Sequence, residues 1–234
     1  MKDRKKFIVA IDQRTMSSGV ILFNTFGVPI FKSQLEFKQY FPNNGWVEHN
    51  PEEIWKTTKK VLLKAINRSK KLKGRILTIG ITNQRETTIM WDRVTGKPVY
   101  NAIVWQDRRT ADFCNKFKSK KRERIINRKT GLLIDPYFSG TKIKWIIDNV
   151  LKAKKLLKKK QLLFGTVDTF LLWRLTKGLV HATDATNASR TMLYNITTNS
   201  WDNQILKSLK IPTHILPIIK DSSDNFGRSE ERRV

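Results

Sequence analysis

The sequence predicts an α/β domain whose first elements are three strands, one helix and a further strand. Apolar runs of strand length occupy residues 7–11, 19–23 and 29–37, and short polar segments separate them. Short connections favour antiparallel pairing of neighbouring strands. We therefore expect the domain to open with an antiparallel meander of three strands.

A well-marked helix follows the meander. Asn50 is a suitable cap, Pro51 suits the first turn, and Glu53 stands three residues after the cap, as in a capping box. Apolar residues then recur at helical spacing as far as Ile66. The helix is therefore predicted to pack one apolar face against the rest of the domain.

Residues 76–81 form the next predicted strand, and apolar residues lie on both of its faces. Such a strand is typical of the buried centre of a parallel sheet. The order of three strands, a helix and a further strand also occurs in actin-like, ribonuclease-H-like nucleotide-binding domains, which have a mixed sheet. At this point the shared order is an analogy, which particular residues must support.

The rest of the chain mixes α and β signals. Residues 92–96 suggest a hairpin-like turn, and Gly178 is a suitable helix stop. Helices are predicted at residues 107–118, 142–155, 167–176 and 201–209. The sequence contains no internal repeat and no low-complexity linker.

The formal net charge of +26 would attract nucleic acid or anionic membrane at low salt. The basic residues are nevertheless spread over residues 56–75, 116–129 and 152–160, mostly on the polar faces of helical patterns. No zinc-finger spacing, RNP-like aromatic stretch or basic zipper accompanies them. We therefore favour solvated lysine faces over dedicated nucleic-acid binding.

Cysteine content and hydropathy bear on the compartment. The single cysteine, Cys114, excludes an internal disulfide and fits a reducing cytoplasm. No apolar run approaches the length of a membrane span, and the charged residues at the start do not resemble a signal peptide. We expect a cytoplasmic protein without a membrane partner, in which Cys114 is a half-buried helix residue.

The first candidate site is the polar turn at residues 12–18. Asp12 ends a strand, and the hydroxyl residues Thr15, Ser17 and Ser18 follow it. A carboxylate in this position can hold Mg²⁺ with its water shell, and the turn can offer N–H and O–H donors to phosphate. An ordinary polar hairpin loop has the same composition, so both readings stay open at this point.

The second candidate site follows the strand at residues 76–81. Arg85 beside Glu86 combines a donor fork with a carboxylate acceptor, which suits a polyol with adjacent hydroxyls. A salt-bridged loop is the alternative. Trp105 lies at the end of another apolar run and could form an aromatic surface beside a small carbon skeleton. The alternative is an ordinary core residue.

Longer strings make the sequence recognisable. Residues 7–18 resemble the first strand and phosphate turn of the FGGY carbohydrate kinases, and residues 137–149 fit the first signature of that family, with Lys142 and Trp145 in place. Strings that resemble the glycerol kinases within the family lie at residues 45–49, 80–88, 100–105, 135–142, 164–169 and 183–193. The resemblance predicts an N-terminal FGGY kinase domain over residues 1–227 and a non-matching tail at 228–234.

The resemblance implies ligands for particular residues. Arg85, Glu86 and Tyr137 match positions that hydrogen-bond glycerol, and Trp105 matches the aromatic wall against its carbons. Asp12 matches the acidic residue near the Mg²⁺ ion. The phosphate-turn positions, which would contact ATP, are Thr15, Ser17 and Ser18.

The implied reaction transfers the γ-phosphoryl group of ATP to glycerol and gives sn-glycerol 3-phosphate. In the family, the base aspartate and the adenosine-binding domain lie beyond the position of Val234, so we expect no catalytic residue within this chain and no activity of the chain alone. The alternatives are a non-catalytic remnant or basic binding protein that retains the fold, and a kinase completed by a separately encoded half. The resemblance also allows a homo-oligomer in the full-length protein.

The phosphate turn departs from the family pattern Asp-Gln-Gly-Thr-Thr-Ser-Ser-Arg at three positions. Arg14 replaces the glycine, Met16 replaces a threonine and Gly19 replaces the arginine. Since glycine permits a positive φ and a close approach to phosphate, we expect Arg14 to strain the turn. Met16 loses a hydroxyl, and Gly19 loses a cation that would face phosphate.

Overall fold

The computed structural model describes residues 5–229, and the chain divides into two compact units. The first unit comprises the residues up to Gln39 together with His49–Gln84, and the second comprises Tyr40–Glu48 and the residues from Arg85 onward. The last five residues of the predicted tail, 230–234, lie outside the described residues. Among the described residues, no helix has both the length and the apolarity needed to span a bilayer.

The first unit is a sheet with one long helix. Its elements, with two short strands at the points where the chain passes between the units, are β1 (Lys6–Gln13), β2 (Ser17–Asn24), β3 (Pro29–Glu36), β4 (Gln39–Tyr40), β5 (Glu48–His49), α1 (Pro51–Lys71) and β6 (Arg75–Asn83). Strands β1, β2 and β3 pair antiparallel in sequence, and β6 pairs parallel with β1. The predicted meander and the mixed sheet are therefore confirmed.

Helix α1 begins where the sequence predicts. The Asn50 side chain caps it by accepting a hydrogen bond of 2.9 Å from the Glu52 N–H group. Ile54, Val61 and Leu62 are completely buried, and the helix packs mainly on β2 and β3. These contacts bury the apolar face of the helix against one face of the sheet, as expected from the helical spacing.

The position of β6 corrects one prediction. The described sheet has the order β3-β2-β1-β6, so β6 is an edge strand and not a central one. The strand is also more exposed than predicted. Leu77 is 41 % exposed, and Thr78 and Gly80 are also exposed. A strand that is apolar on both faces is buried only where other elements cover both faces, and its sequence does not specify those elements.

The second unit consists of helices and short strands around an apolar core. Its elements are β7 (Ile89–Asp92), β8 (Ala102–Ile103), α2 (Ala111–Phe117), α3 (Lys120–Thr130), α4 (Ser139–Asn149), α5 (Leu151–Lys158), β9 (Leu162–Gly165), α6 (Val167–Leu175), β10 (Ala182–Asp184), α7 (Ala185–Ala188), β11 (Tyr194–Asn195), β12 (Ser200–Trp201), α8 (Asn203–Leu209) and β13 (Ile218–Lys220). The 3₁₀ turns are Ser189–Thr191 and Thr213–Ile215. The core includes Met90, Ile103, Ile143 and Phe164.

The predicted helices of this unit are present with altered bounds. The helix predicted at 107–118 begins only at Ala111, because the Asp107 carboxylate accepts hydrogen bonds from the N–H groups of Val47 and Arg109. The helix predicted at 142–155 is two helices, α4 and α5, which Val150 separates in an extended conformation. Helix α6 agrees with its prediction to within one residue. The predicted helical position of Cys114 is confirmed, but its side chain is buried in α2 and not half-buried as expected.

The second unit contains an arginine whose side chain is completely buried. The Arg109 guanidinium bonds to Glu48 at 2.7 Å and to Asp107 at 2.8 Å, and its side chain is 0 % exposed. Its central carbon lies 3.8 Å from the ring centre of Trp46 and 4.6 Å from that of Trp145. Two carboxylates and two indole rings therefore replace the water that this charge loses on folding.

Replacing Arg109 with methionine is expected to destabilise the protein by about 3–5 kcal/mol, because the buried Glu48 and Asp107 carboxylates would lose their counter-charge. Urea unfolding followed by circular dichroism measures the change. Arg108→Met is the matched control, since Arg108 pairs with Asp135 at the surface and its side chain is 57 % exposed. That control should change stability by less than about 1 kcal/mol, and equal losses for the two variants would contradict the assigned role of Arg109.

Candidate functional site

The turn after β1 is a tight hairpin in the first unit. The Arg14 N–H group donates to the Ser17 carbonyl at 2.8 Å and closes it. The Arg14 side chain folds back so that its Nε lies 2.6 Å from Asp12 Oδ2. Both side chains are accessible, at 61 % for Arg14 and 30 % for Asp12, so this ion pair is weak and easily exchanged.

The structure corrects the expectation that Arg14 strains the turn. Among the described residues, the non-glycine positions with positive φ do not include Arg14. The hairpin closes without the left-handed conformation that would favour glycine, so an arginine is sterically acceptable there. At Gly19, an added Cβ would lie 3.5 Å from the Asp12 carbonyl, which is an ordinary contact, so a larger side chain is also acceptable at that position.

The hydroxyl residues of the turn differ in accessibility. Ser17 Oγ accepts from the Gln34 side chain at 2.9 Å, and Ser18 Oγ lies 2.9 Å from Thr57 Oγ1. Both serines are buried, so both hydroxyls are engaged within the first unit. Thr15 is partly exposed, whereas Met16 is 61 % exposed. Direct phosphate contact by the two serine hydroxyls remains a prediction and would require their present bonds to exchange.

The fit of this turn to Mg²⁺ rests on the Asp12 carboxylate. Among residues 5–229, no group of three or more acidic, histidine or cysteine side chains is arranged to hold a metal ion. Mg²⁺ in phosphoryl-transfer sites is commonly bound by one or two carboxylates together with water and substrate phosphate. Asp12 therefore fits a metal shared with a nucleotide, provided that Arg14 releases Oδ2.

A buried polar network that sequence reasoning missed lies behind the turn. Gln84 Nε2 donates to Gln13 Oε1 at 3.1 Å and to the Arg14 carbonyl at 3.2 Å, and it lies 3.3 Å from His49 Nδ1. Burial lowers the pKa of His49 to about 4, so the imidazole is neutral at physiological pH. Neutral groups of this network therefore fix the Arg14 carbonyl, whereas the charged side chains of Asp12 and Arg14 lie at the surface.

The second predicted site begins in the second unit with Arg85 and Glu86. Arg85 is exposed, whereas the Glu86 side chain is only 4 % exposed. Glu86 Oε1 accepts a hydrogen bond of 2.6 Å from Arg190 Nε. A buried carboxylate is therefore held by a charged partner that lies 104 residues further along the chain.

An aromatic wall stands in the same unit. The ring centres of Trp105 and Tyr137 are 5.5 Å apart, and the Arg190 guanidinium lies 5.6 Å from the Tyr137 ring centre. Trp105 is half-buried and so is not a core residue. Arg190 thus connects the Glu86 carboxylate with the aromatic residues, and three of the predicted side chains belong to one cluster. Arg190 lies in a string that carries the family resemblance, but its spacing from Glu86 gives no local signal of the pairing.

Lys142 lies beneath this cluster and is completely buried. Its Nζ donates to the Tyr137 carbonyl at 2.6 Å and lies 3.5 Å from the Glu86 carbonyl. Ser139 Oγ donates to the same Glu86 carbonyl at 3.0 Å. Burial lowers the pKa of Lys142 to about 7, although the nearby carboxylates act in the opposite direction.

The chain belongs to the FGGY family of carbohydrate kinases, since the model of the N-terminal domain of that family matches residues 7–233. A glycerol kinase from Chelativorans sp. (strain BNC1) and one from Petrotoga mobilis are each 54 % identical to it over 226 residues. In both comparisons the alignment covers 97 % of this chain and 45 % of the relative. The chain therefore spans a little under half the length of these relatives.

A solved structure supports the same family and confirms the fold. The crystal structure of Plasmodium falciparum glycerol kinase with ADP is similar with a TM-score of 0.92 at 37 % identity, and the match covers 97 % of this chain and 45 % of that one. The expected actin-like, ribonuclease-H-like fold is confirmed. The chain resembles the N-terminal part of a glycerol kinase along almost its whole length.

The pH dependence of stability tests the buried state of Lys142. Its pKa in the folded protein, about 7, lies below the ordinary 10.5, so the unfolded chain binds more protons between these values. Stability of the wild type should therefore rise relative to Lys142→Met from pH 7 to pH 9, by up to about 1.4 kcal/mol per pH unit. Urea unfolding at each pH measures this difference. Lys144→Met, which removes a lysine paired with Asp148 on the same helix, is the matched control for the loss of one lysine. A stability difference between wild type and Lys142→Met that does not change with pH would contradict the assignment.

Proposed function

We propose that this chain supplies the glycerol site and the phosphate turn of an ATP-dependent glycerol kinase, which transfers the γ-phosphoryl group of ATP to glycerol and forms sn-glycerol 3-phosphate. The observation that carries the proposal is the buried Glu86 carboxylate, which is held by Arg190 in the cluster that also contains Tyr137 and Trp105. The relatives that match almost the whole chain are named glycerol kinases, which supports the same reaction.

The cluster offers the groups that a small polyol requires. Arg190 occupies Glu86 Oε1, so Oε2 is the oxygen proposed to accept from a glycerol hydroxyl. Arg85 is exposed and can donate, and the Tyr137 hydroxyl can donate or accept. The Trp105 ring provides an apolar surface for the carbon skeleton. The affinity for a ligand would depend on the spacing of its hydroxyl groups. A ligand that leaves the buried polar groups of the site unpaired would lose binding free energy.

The phosphate turn is proposed to serve ATP. Asp12 would hold Mg²⁺, and Thr15, Ser17 and Ser18 would serve the phosphates. When bound, the metal would neutralise charge on the transferring phosphoryl group. The resemblance assigns the base aspartate and the adenosine-binding domain to the part of the relatives that this chain does not span. A cytoplasmic location is part of the same proposal.

Glycerol binding by this chain tests the proposed substrate. Titration followed by amide NMR shifts should show saturable changes around residues 85–88, and Arg85→Ala and Glu86→Gln should each weaken binding. Loss of one buried hydroxyl contact costs about 1–3 kcal/mol, or roughly a tenfold to hundredfold loss of affinity. Glu123→Gln is the control, because Glu123 belongs to a surface pair with Lys118 in the same unit. Unchanged affinity in Glu86→Gln would exclude this carboxylate from the site.

The altered turn can be tested in a fusion to the C-terminal half of the Petrotoga mobilis relative. Arg14→Gly combined with Met16→Thr and Gly19→Arg should raise kcat/KM for ATP by about a hundredfold, the usual effect of a donor aimed at transition-state charge. The physical reason is that Asp12 Oδ2 is released from Arg14, while a hydroxyl and a cation are restored. A coupled ADP-release assay measures the rate. Equal rates for the parent fusion and the triple variant would show that the altered turn is harmless.

A further inference from the structure

Glu86 has an unusual backbone conformation. Its φ is +64°, which a non-glycine residue rarely adopts. The Thr87 N–H group donates to the Arg85 carbonyl at 2.8 Å, a bond that spans the single residue Glu86. This i to i+2 bond with a positive φ defines a strained γ-turn, which persists only where the surroundings hold it.

The first turn of α4 supplies the contacts that can hold it. Ser139 Oγ donates to the Glu86 carbonyl at 3.0 Å, and Lys142 Nζ approaches the same oxygen at 3.5 Å. Thr88 Oγ1 donates to it as well, at 3.3 Å. Ser139 and Lys142 are both completely buried. The carbonyl of the strained residue is therefore fixed by donors from a rigid element.

Lys142 also fixes a second site residue. Its amino group donates to the Tyr137 carbonyl at 2.6 Å, so one buried group contacts the backbones of Glu86 and Tyr137. A methionine would fill a similar volume without the cost of burying an amine. Among the described hydrogen bonds, those of the Lys142 amine go to main-chain carbonyls and not to a carboxylate. Its chemistry is therefore suited to setting backbone geometry.

We propose that Lys142 and Ser139 are positioning residues of the polyol site, which hold Glu86 in its γ-turn and fix its carboxylate relative to Tyr137 and Arg190. This inference rests on the proposed function for its ligand, but the backbone conformation on which it depends is measurable without one. A positioning error of about 1 Å at such a site can reduce its function by one to two orders of magnitude.

The test compares Lys142→Met, Lys142→Gln and Ser139→Ala with the control Lys144→Met. The first readout is the backbone of Glu86, measured by residual dipolar couplings and ¹³Cα and ¹³Cβ shifts, which report φ without ligand. The second is the glycerol dissociation constant. We expect Lys142→Met to shift Glu86 away from positive φ and to weaken binding about tenfold or more, Lys142→Gln to restore part of both because an amide still donates, and Lys144→Met to change neither.

The outcomes separate this inference from the proposed function. A Glu86 backbone that keeps its positive φ in folded Lys142→Met and Ser139→Ala proteins overturns the positioning role, whatever the affinity. If Lys142→Met does not fold, Ser139→Ala decides by the same readout, and we expect it to shift Glu86 away from positive φ. If the wild type does not bind glycerol, the proposed substrate fails, and the couplings still decide whether these two residues set the γ-turn.

Discussion

A buried charge must be compensated where it lies, and this constraint organises the second unit. Arg109 is compensated by two carboxylates and two indole rings, and Glu86 by the guanidinium of Arg190. Lys142 is compensated by carbonyl dipoles, by nearby carboxylates and by partial loss of its charge, since burial brings its pKa to about 7. Each of these interactions joins segments that are distant in sequence. Together they fix the loops of the candidate polyol site.

The first unit follows the opposite arrangement. Neutral amides and a neutral imidazole fill the buried positions behind its turn, and the charged pair of Asp12 and Arg14 stays at the surface. An accessible ion pair contributes little to stability and exchanges readily. The turn therefore has a rigid base and adaptable charges, whereas the Glu86 cluster has rigid charges. Such a difference suits a metal-phosphate ligand in one case and a small neutral ligand in the other.

Local sequence signals predicted the secondary-structure elements. The features that these signals did not predict depend on long-range contacts. The meander and α1 follow from apolar periodicity and from the cap at Asn50, which act within a few residues. The edge position of β6 and the pairing of Glu86 with Arg190 depend on segments that no local pattern specifies. The expected strain at Arg14 was wrong because a family preference for glycine was taken as a requirement for positive φ. Among the described residues, Glu86 and six other non-glycine residues have a positive φ, and Arg14 does not.

The positions of the departures from the family pattern have a consequence for function. Arg14, Met16 and Gly19 all belong to the first unit, whereas Arg85, Glu86, Trp105, Tyr137 and Arg190 all belong to the second. The contacts that hold Glu86 and Tyr137 also come from the second unit, through Ser139 and Lys142. The proposed polyol site and the proposed phosphate turn therefore rest on separate sets of internal contacts. An altered phosphate turn can change transfer of the phosphoryl group without removing the groups that would recognise the acceptor.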